Sequence, residues 1–267
     1  MSDAPVPSLL TEIERDLLDG MPVADVLRKL IVLGGRAGSS ELRDWASQEL
    51  RGYADVLVDD LPDYRKIPAI IQLDAIVGAG GVSHLTIAPH ELPEQAREHI
   101  KNQVLFFQGI GEIQAMIDGS GEGKTVRVSL PGERVLAQWM DKASGNPYQH
   151  INAIYWSVSA SALEGLVDQV RTRLAELLGE LRAVTPANAD APTASQAANA
   201  VNIVIHGKGN RVNVAHADGE SASASVKVDQ SADGPFWTLG RRIGAIVVGL
   251  ATVAATVIAW WQFQGSA

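Results

Sequence analysis

Cysteine is absent from all 267 residues, so disulfides, thiolate metal sites and thiol redox chemistry are excluded. A basic surplus is missing too. Residues 1–184 hold 17 Lys and Arg against 26 Asp and Glu, which accounts for the whole net charge of −9. That balance disfavours a broad surface for duplex nucleic acid but leaves room for a compact basic pocket. The opening MSDAPVPSLLTEIERD has neither the basic nor the apolar stretch of a signal peptide, so the bulk of the chain is expected to stay inside.

Charge is also missing from one long run, Ile243 to Trp261, which follows Arg241 and Arg242 and closes on Trp260 and Trp261. At about 1.5 Å rise per residue, its nineteen residues reach roughly 28 Å, close to the ~30 Å hydrocarbon core of a bilayer. A buried core helix would normally keep a polar stripe, whereas here only Thr252 and Thr256 are polar, and their hydroxyls can bond their own backbone. The expectation is a single membrane helix over 241–263, with the Arg pair at its cytoplasmic end. Ala245, Gly249, Thr252, Thr256 and Ala259 recur at spacings of four and three, forming a small-residue stripe along which helices could pack or line a pore.

Upstream, the pattern is helical first. Leu9, Leu10, Ile13, Leu17 and Leu18 share a face before Gly20, and Val23, Val26, Leu27, Leu30, Ile31 and Leu33 repeat that spacing after Pro22. Ser39 and Ser40 precede a third helix, Glu41 to Leu50, which Gly52 ends. Apolar runs between Ile67 and Ile87, broken by Gly78, Gly80 and Gly81, predict strands joined by turns. Helix is expected over Glu94 to Ile117, weakened by Gly109 and Gly111, then a short strand over Thr125 to Leu130 and a long helix from Ser159 to about Ala183.

The fold class is therefore α+β. A mainly helical domain with a small sheet is expected over 8–184, and an Ala-, Pro- and Thr-rich linker over 185–200. A β-rich oligomerisation segment is expected over 201–230, where Val201, Ile203 and Ile205 alternate before a Gly207–Asn210 turn.

The run VLRKLIVLGGRAGSSELRDWASQELRGY, followed by LPDYRKIP, resembles the AbiTii domain of bacterial abortive-infection proteins. The likeness rests on the order and spacing of Trp45, Glu49, Leu50, Gly52, Tyr53, Leu61, Pro62, Tyr64, Arg65 and Lys66. The closing helix WSVSASALEGLVDQVRTRLAELLGELR is similar as well, so the resemblance covers about 20–184. It implies a role in phage defence and carries over no catalytic residue. The architecture, such a domain on a C-terminal membrane helix, also resembles the ion-channel effector of the Hailong defence system, which is controlled by DNA oligomers from a partner nucleotidyltransferase.

Candidate chemistry is sparse. Gly119 to Thr125 imitates a phosphate loop, but Asp118 stands where the motif needs glycine, and a strand rather than a helix is expected to follow. None of the six histidines has a partner at metal-site spacing, and Asp59, Asp60 and Asp63 read as an exposed acidic turn. Arg171 and Arg173 are expected in intrahelical ion pairs with Asp168, Glu176 and Glu180. Two clusters could take an anionic ligand: Tyr64, Arg65 and Lys66, where two cations flank a ring, and His206, Lys208 and Arg211, which would form rings of charge in a symmetric oligomer.

The resulting expectation is an oligomeric channel in the bacterial inner membrane, tetrameric, gated by a nucleotide or DNA oligomer, with no cofactor, no metal and no enzymatic activity. A tail-anchored binding module that never conducts and an uncharacterised nucleic-acid enzyme are the alternatives.

Overall fold

The computed structural model of the chain describes residues 7–121, 124–186 and 189–207. Its helices are α1 (Leu9–Leu18), α2 (Val23–Ala37), α3 (Ser40–Arg51), the single-turn α4 (Glu94–Arg97), α5 (Ile110–Asp118), α6 (Glu133–Ser144), α7 (Ala160–Val184) and α8 (Ala194–Val204). The first three and α7 stand where hydrophobic periodicity puts them. Ser39 caps α3 by accepting the Leu42 N–H at 3.2 Å, and Gly38 ends α2 at φ +70°. Lys29 on α2 reaches back to Glu12 and, at 2.6 Å, to Asp16, which joins α2 to α1. Through the middle runs α7, whose Leu163, Leu166, Val170, Leu174 and Leu177 are wholly buried. At about 1.5–3 kcal/mol for each fully buried aliphatic side chain, that row is a major share of the helical core.

The strands are β1 (Lys66–Pro68), β2 (Ile70–Val77), β3 (Gly80–Ile87), β4 (Gln103–Leu105), β5 (Thr125–Ser129) and β6 (Gln149–Ser159). β1 pairs with β4, and the other four form an antiparallel sheet in the order β3-β2-β6-β5. The β2–β3 hairpin and β5 match the sequence pattern; α6 and β6, the strand that joins β2 to β5, are not marked by it, and the WSVS start of the resembled closing helix is the end of β6. A second apolar cluster, including Ile71, Leu73, Ile154 and Leu136, lies between this sheet and α6. Trp156 packs against both clusters, and its indole N–H donates to the Lys101 carbonyl at 2.8 Å.

The α+β class holds, and two local expectations do not. Glu94 to Ile117 is not one helix: residues 98–109 leave the helical path, β4 pairs Val104 with Ile67, and helix resumes only at Ile110. Where it resumes the backbone crosses α3 closely, since a Cβ on Gly109 would lie 2.3 Å from the Leu50 carbonyl oxygen. Nor is 185–200 a plain linker followed by a strand from Val201. Thr193 and Gln196 form a capping box that opens α8, which buries Ala197, Ala200 and Val201. Alanine favours helix strongly, and the two-residue alternation dissolves, because Val201, Val204 and Ile205 pack at helical spacing while Ile203 is exposed. The remainder of the expected β segment from Lys208 and the expected membrane helix lie outside the described residues. Among the described residues, no helix is long and apolar enough to cross a membrane.

Gly109→Ala should destabilise the protein by about 2–3 kcal/mol through overpacking against a backbone carbonyl. Gly165→Ala on α7, where an added Cβ meets nothing within 4 Å, should stabilise it by about 0.5–1 kcal/mol. Denaturant unfolding followed by tryptophan fluorescence separates the two.

Candidate functional site

Glu49, on the last turns of α3, is completely buried, and so is Arg65, in the turn immediately before β1. Their side chains meet at 2.6 Å, from Arg65 Nη2 to Glu49 Oε2, while the hydroxyls of Tyr53 and Tyr64 both donate to Glu49 Oε1. Arg65 Nη1 donates to the carbonyls of Phe106 and Gln108 at 3.1 and 2.6 Å, and its guanidinium lies 4.4 Å from the Tyr53 ring centroid. Burial and the nearby Glu49 carboxylate push both phenols well above the ordinary tyrosine range. An isolated charge here would be prohibitively costly, and each partner is tolerated because the other and its donors are present.

Tyr64 and Arg65 are thus committed to the interior rather than presented to a ligand. Lys66 is partly exposed and pairs with Asp63 at 2.7 Å, which also accounts for part of the acidic turn. Arg173 makes none of the expected intrahelical ion pairs among the described residues, and its guanidinium instead sits 4.6 Å from the Tyr64 ring centroid. A face of α7 therefore closes over the buried pair. Thr125 opens a strand, so the phosphate-loop pattern lacks the helix that must follow it. His206 is exposed just beyond α8, while Lys208, Arg211 and the Ala245, Gly249, Thr252, Thr256 and Ala259 stripe lie outside the described residues. No group of three or more His, Asp and Glu residues gathers for a metal among the described residues.

Sequence reasoning missed a convergence on the polar face of the sheet. Asp74 on β2 sits opposite a bulge in each neighbouring strand: β3 inserts a residue between Val82 and Leu85, and β6 inserts one between Ile151 and Ala153. Bulges re-aim side chains, and these bring His84, Arg127 and Tyr155 onto one carboxylate. Asp74 Oδ1 accepts the His84 backbone N–H at 2.8 Å and the Tyr155 hydroxyl at 3.1 Å, and Oδ2 pairs with Arg127 Nη1 at 2.9 Å. Burial pulls the Asp74 carboxyl upward, but the His84 amide, Tyr155 and Arg127 outweigh it and hold the group below the ordinary carboxylate range. Arg127 lies flat over the Tyr155 ring at 4.4 Å, half exposed, and its Nη2 is 3.4 Å from the imidazole of His84. His84 holds φ at +58°, a conformation rare outside glycine that costs about 1 kcal/mol or more.

The signal for this group was present as polar residues at alternate strand positions. It was unreadable without β6, which carries Tyr155 and sets the register.

Removing one member of the buried pair should be far worse than removing both. Arg65→Met is expected to lower stability by about 3–5 kcal/mol, and adding Glu49→Leu should restore much of that loss. Alkaline titration gives an independent check. Because Tyr53 and Tyr64 ionise at higher pH folded than unfolded, their contribution is intact below the ordinary phenol value near 10 and is lost as pH rises above it. The unfolding free energy should therefore fall more steeply above about pH 10 in the native protein than in a Tyr53→Phe, Tyr64→Phe variant.

The AbiTii family model covers residues 8–207, from the residue that caps α1 to just past α8. No curated protein and no solved structure matches significantly. Because the match takes in every described helix and strand, the chain belongs to the AbiTii family, whose name denotes abortive infection.

Proposed function

We propose that this protein is a membrane effector of abortive infection, an oligomeric ion channel or pore opened or closed by a nucleotide or short oligonucleotide made by a partner nucleotidyltransferase. One observation carries the reading: an AbiTii body over residues 8–207 shares its chain with an uncharged nineteen-residue run, Ile243 to Trp261. A defence protein that stops phage by harming its own cell has a direct route to that end in dissipating the membrane potential. The Ala245, Gly249, Thr252, Thr256 and Ala259 stripe supports close helix approach, with the two threonines as the polar lining.

The AbiTii body would act as the sensing part. A ligand biases such an assembly only by its differential affinity for the closed and open arrangements.

Gly249→Leu separates a channel from a plain anchor. In the channel, a bulky side chain in the packing stripe should abolish membrane depolarisation in cells expressing the protein, while membrane fractionation is unchanged. An anchor would tolerate the substitution and keep its defence activity. If the intact protein never changes the membrane potential, during phage infection or with added nucleotides, the channel reading fails.

A further inference from the structure

We propose that the polar face of the sheet is a phosphate seat, in which Arg127 and His84 together bind a phosphoryl group of a nucleotide or single-stranded oligonucleotide. The assignment rests on the ligand-gated reading above and names the place where the ligand enters it.

The argument starts from what each group has left to give. Asp74, with one side-chain oxygen on two donors and the other on Arg127, has its charge offset in place and serves as a clamp. Arg127 spends Nη1 on that clamp and rests on the Tyr155 ring, so it is oriented without being neutralised by a second carboxylate. Half of its side chain remains exposed, and Nη2 has no stronger partner than the imidazole at 3.4 Å. A guanidinium fixed in this way, with free N–H groups at the surface, is suited to phosphate oxygens.

His84 supplies the second donor. The single phenolic proton of Tyr155 goes to Asp74 Oδ1, so His84 Nδ1, at 3.1 Å, must donate to the phenolic oxygen. That tautomer leaves Nε2 as a lone pair, 3.4 Å from Arg127 Nη2. Protonation would turn Nε2 into a donor beside the guanidinium, two cations that a phosphate can bridge and that repel one another without one. The charged and titratable groups facing the imidazole are Asp74 from β2, Arg127 from β5 and Tyr155 from β6.

The backbone supports a binding role over simple strand pairing. Satisfying the His84 amide needs only Asp74, yet the two bulges and a left-handed His84 also deliver an arginine and an imidazole to one solvent-facing point, supported by the buried Tyr155. Gln72, Thr86 and Ser129 share that face by register, offering uncharged polar contacts on either side.

The test uses the full-length protein in detergent. A fluorescein-labelled single-stranded DNA oligomer of mixed sequence is titrated by polarisation, with inorganic phosphate and AMP as competitors. The expected result is competition by both and a loss of about tenfold or more for Arg127→Gln. His84→Asn, which tolerates the left-handed backbone, should weaken binding as well. Arg127→Lys should recover part of the affinity, and thermal melting unchanged by Arg127→Gln establishes that the sheet is intact.

Absence of binding by the native protein, or Arg127→Gln binding like the native protein, overturns the assignment. So does a loss of affinity confined to Lys208→Ala and Arg211→Ala. Arg127-dependent binding in a protein that never conducts would leave the seat standing and sink the channel. Conduction with Arg127-independent binding would do the reverse.

Discussion

The buried Glu49–Arg65 pair is the constraint to which much of the helical body conforms. A carboxylate and a guanidinium removed from water each require several donors or acceptors, and the chain supplies all but a partner for Arg65 Nε, drawing on α3, the turn into β1 and the carbonyls of Phe106 and Gln108. Those carbonyls reach Arg65 only if residues 103–108 run extended rather than helical. That path in turn presses Gly109 onto Leu50 and Gly52 onto Phe107, so two glycines follow from one ion pair. Arg173 then settles on Tyr64, which brings α7 into the same assembly.

Much of the helical half was legible because its apolar spacing is regular and its ends carry conventional caps, Ser39 and Gly38 among them. What could not be read was long-range. Glu49 and Arg65 lie sixteen residues apart, and nothing in their local sequence distinguishes buried charges from solvated ones. The helix expected through Glu94 to Ile117 failed because the competing requirement, carbonyls for Arg65, lies outside any local window. The residues that carry the AbiTii likeness, Glu49, Gly52, Tyr53, Tyr64 and Arg65, prove to be the ones that build the pair. A motif that looks like ligand chemistry can thus be the trace of an interior electrostatic device.

The polar face of the sheet was harder to see for a different reason. Its four members come from four strands, and β6, which fixes their mutual register, has Ile154 and Tyr155 adjacent and both buried, so simple alternation fails there. Bulges compound the difficulty, because each shifts the facing pattern by one residue. The α8 misreading has the same character on a smaller scale: Val201, Ile203 and Ile205 alternate, but Ala197, Ala200 and Val201 decide the structure by packing.

The bulge at His84 has a bearing on solubility. β3 is an outer strand with no Lys, Arg, Asp, Glu or Pro in its eight residues, and it exposes Val82 and Leu85, a combination that invites pairing with another chain. By drawing the His84 amide inward to Asp74, the bulge interrupts the row of backbone groups that an incoming strand would need. One carboxylate thereby both organises a surface cluster and guards an aggregation-prone margin, so a protein that lost Asp74 would become sticky before it became unstable.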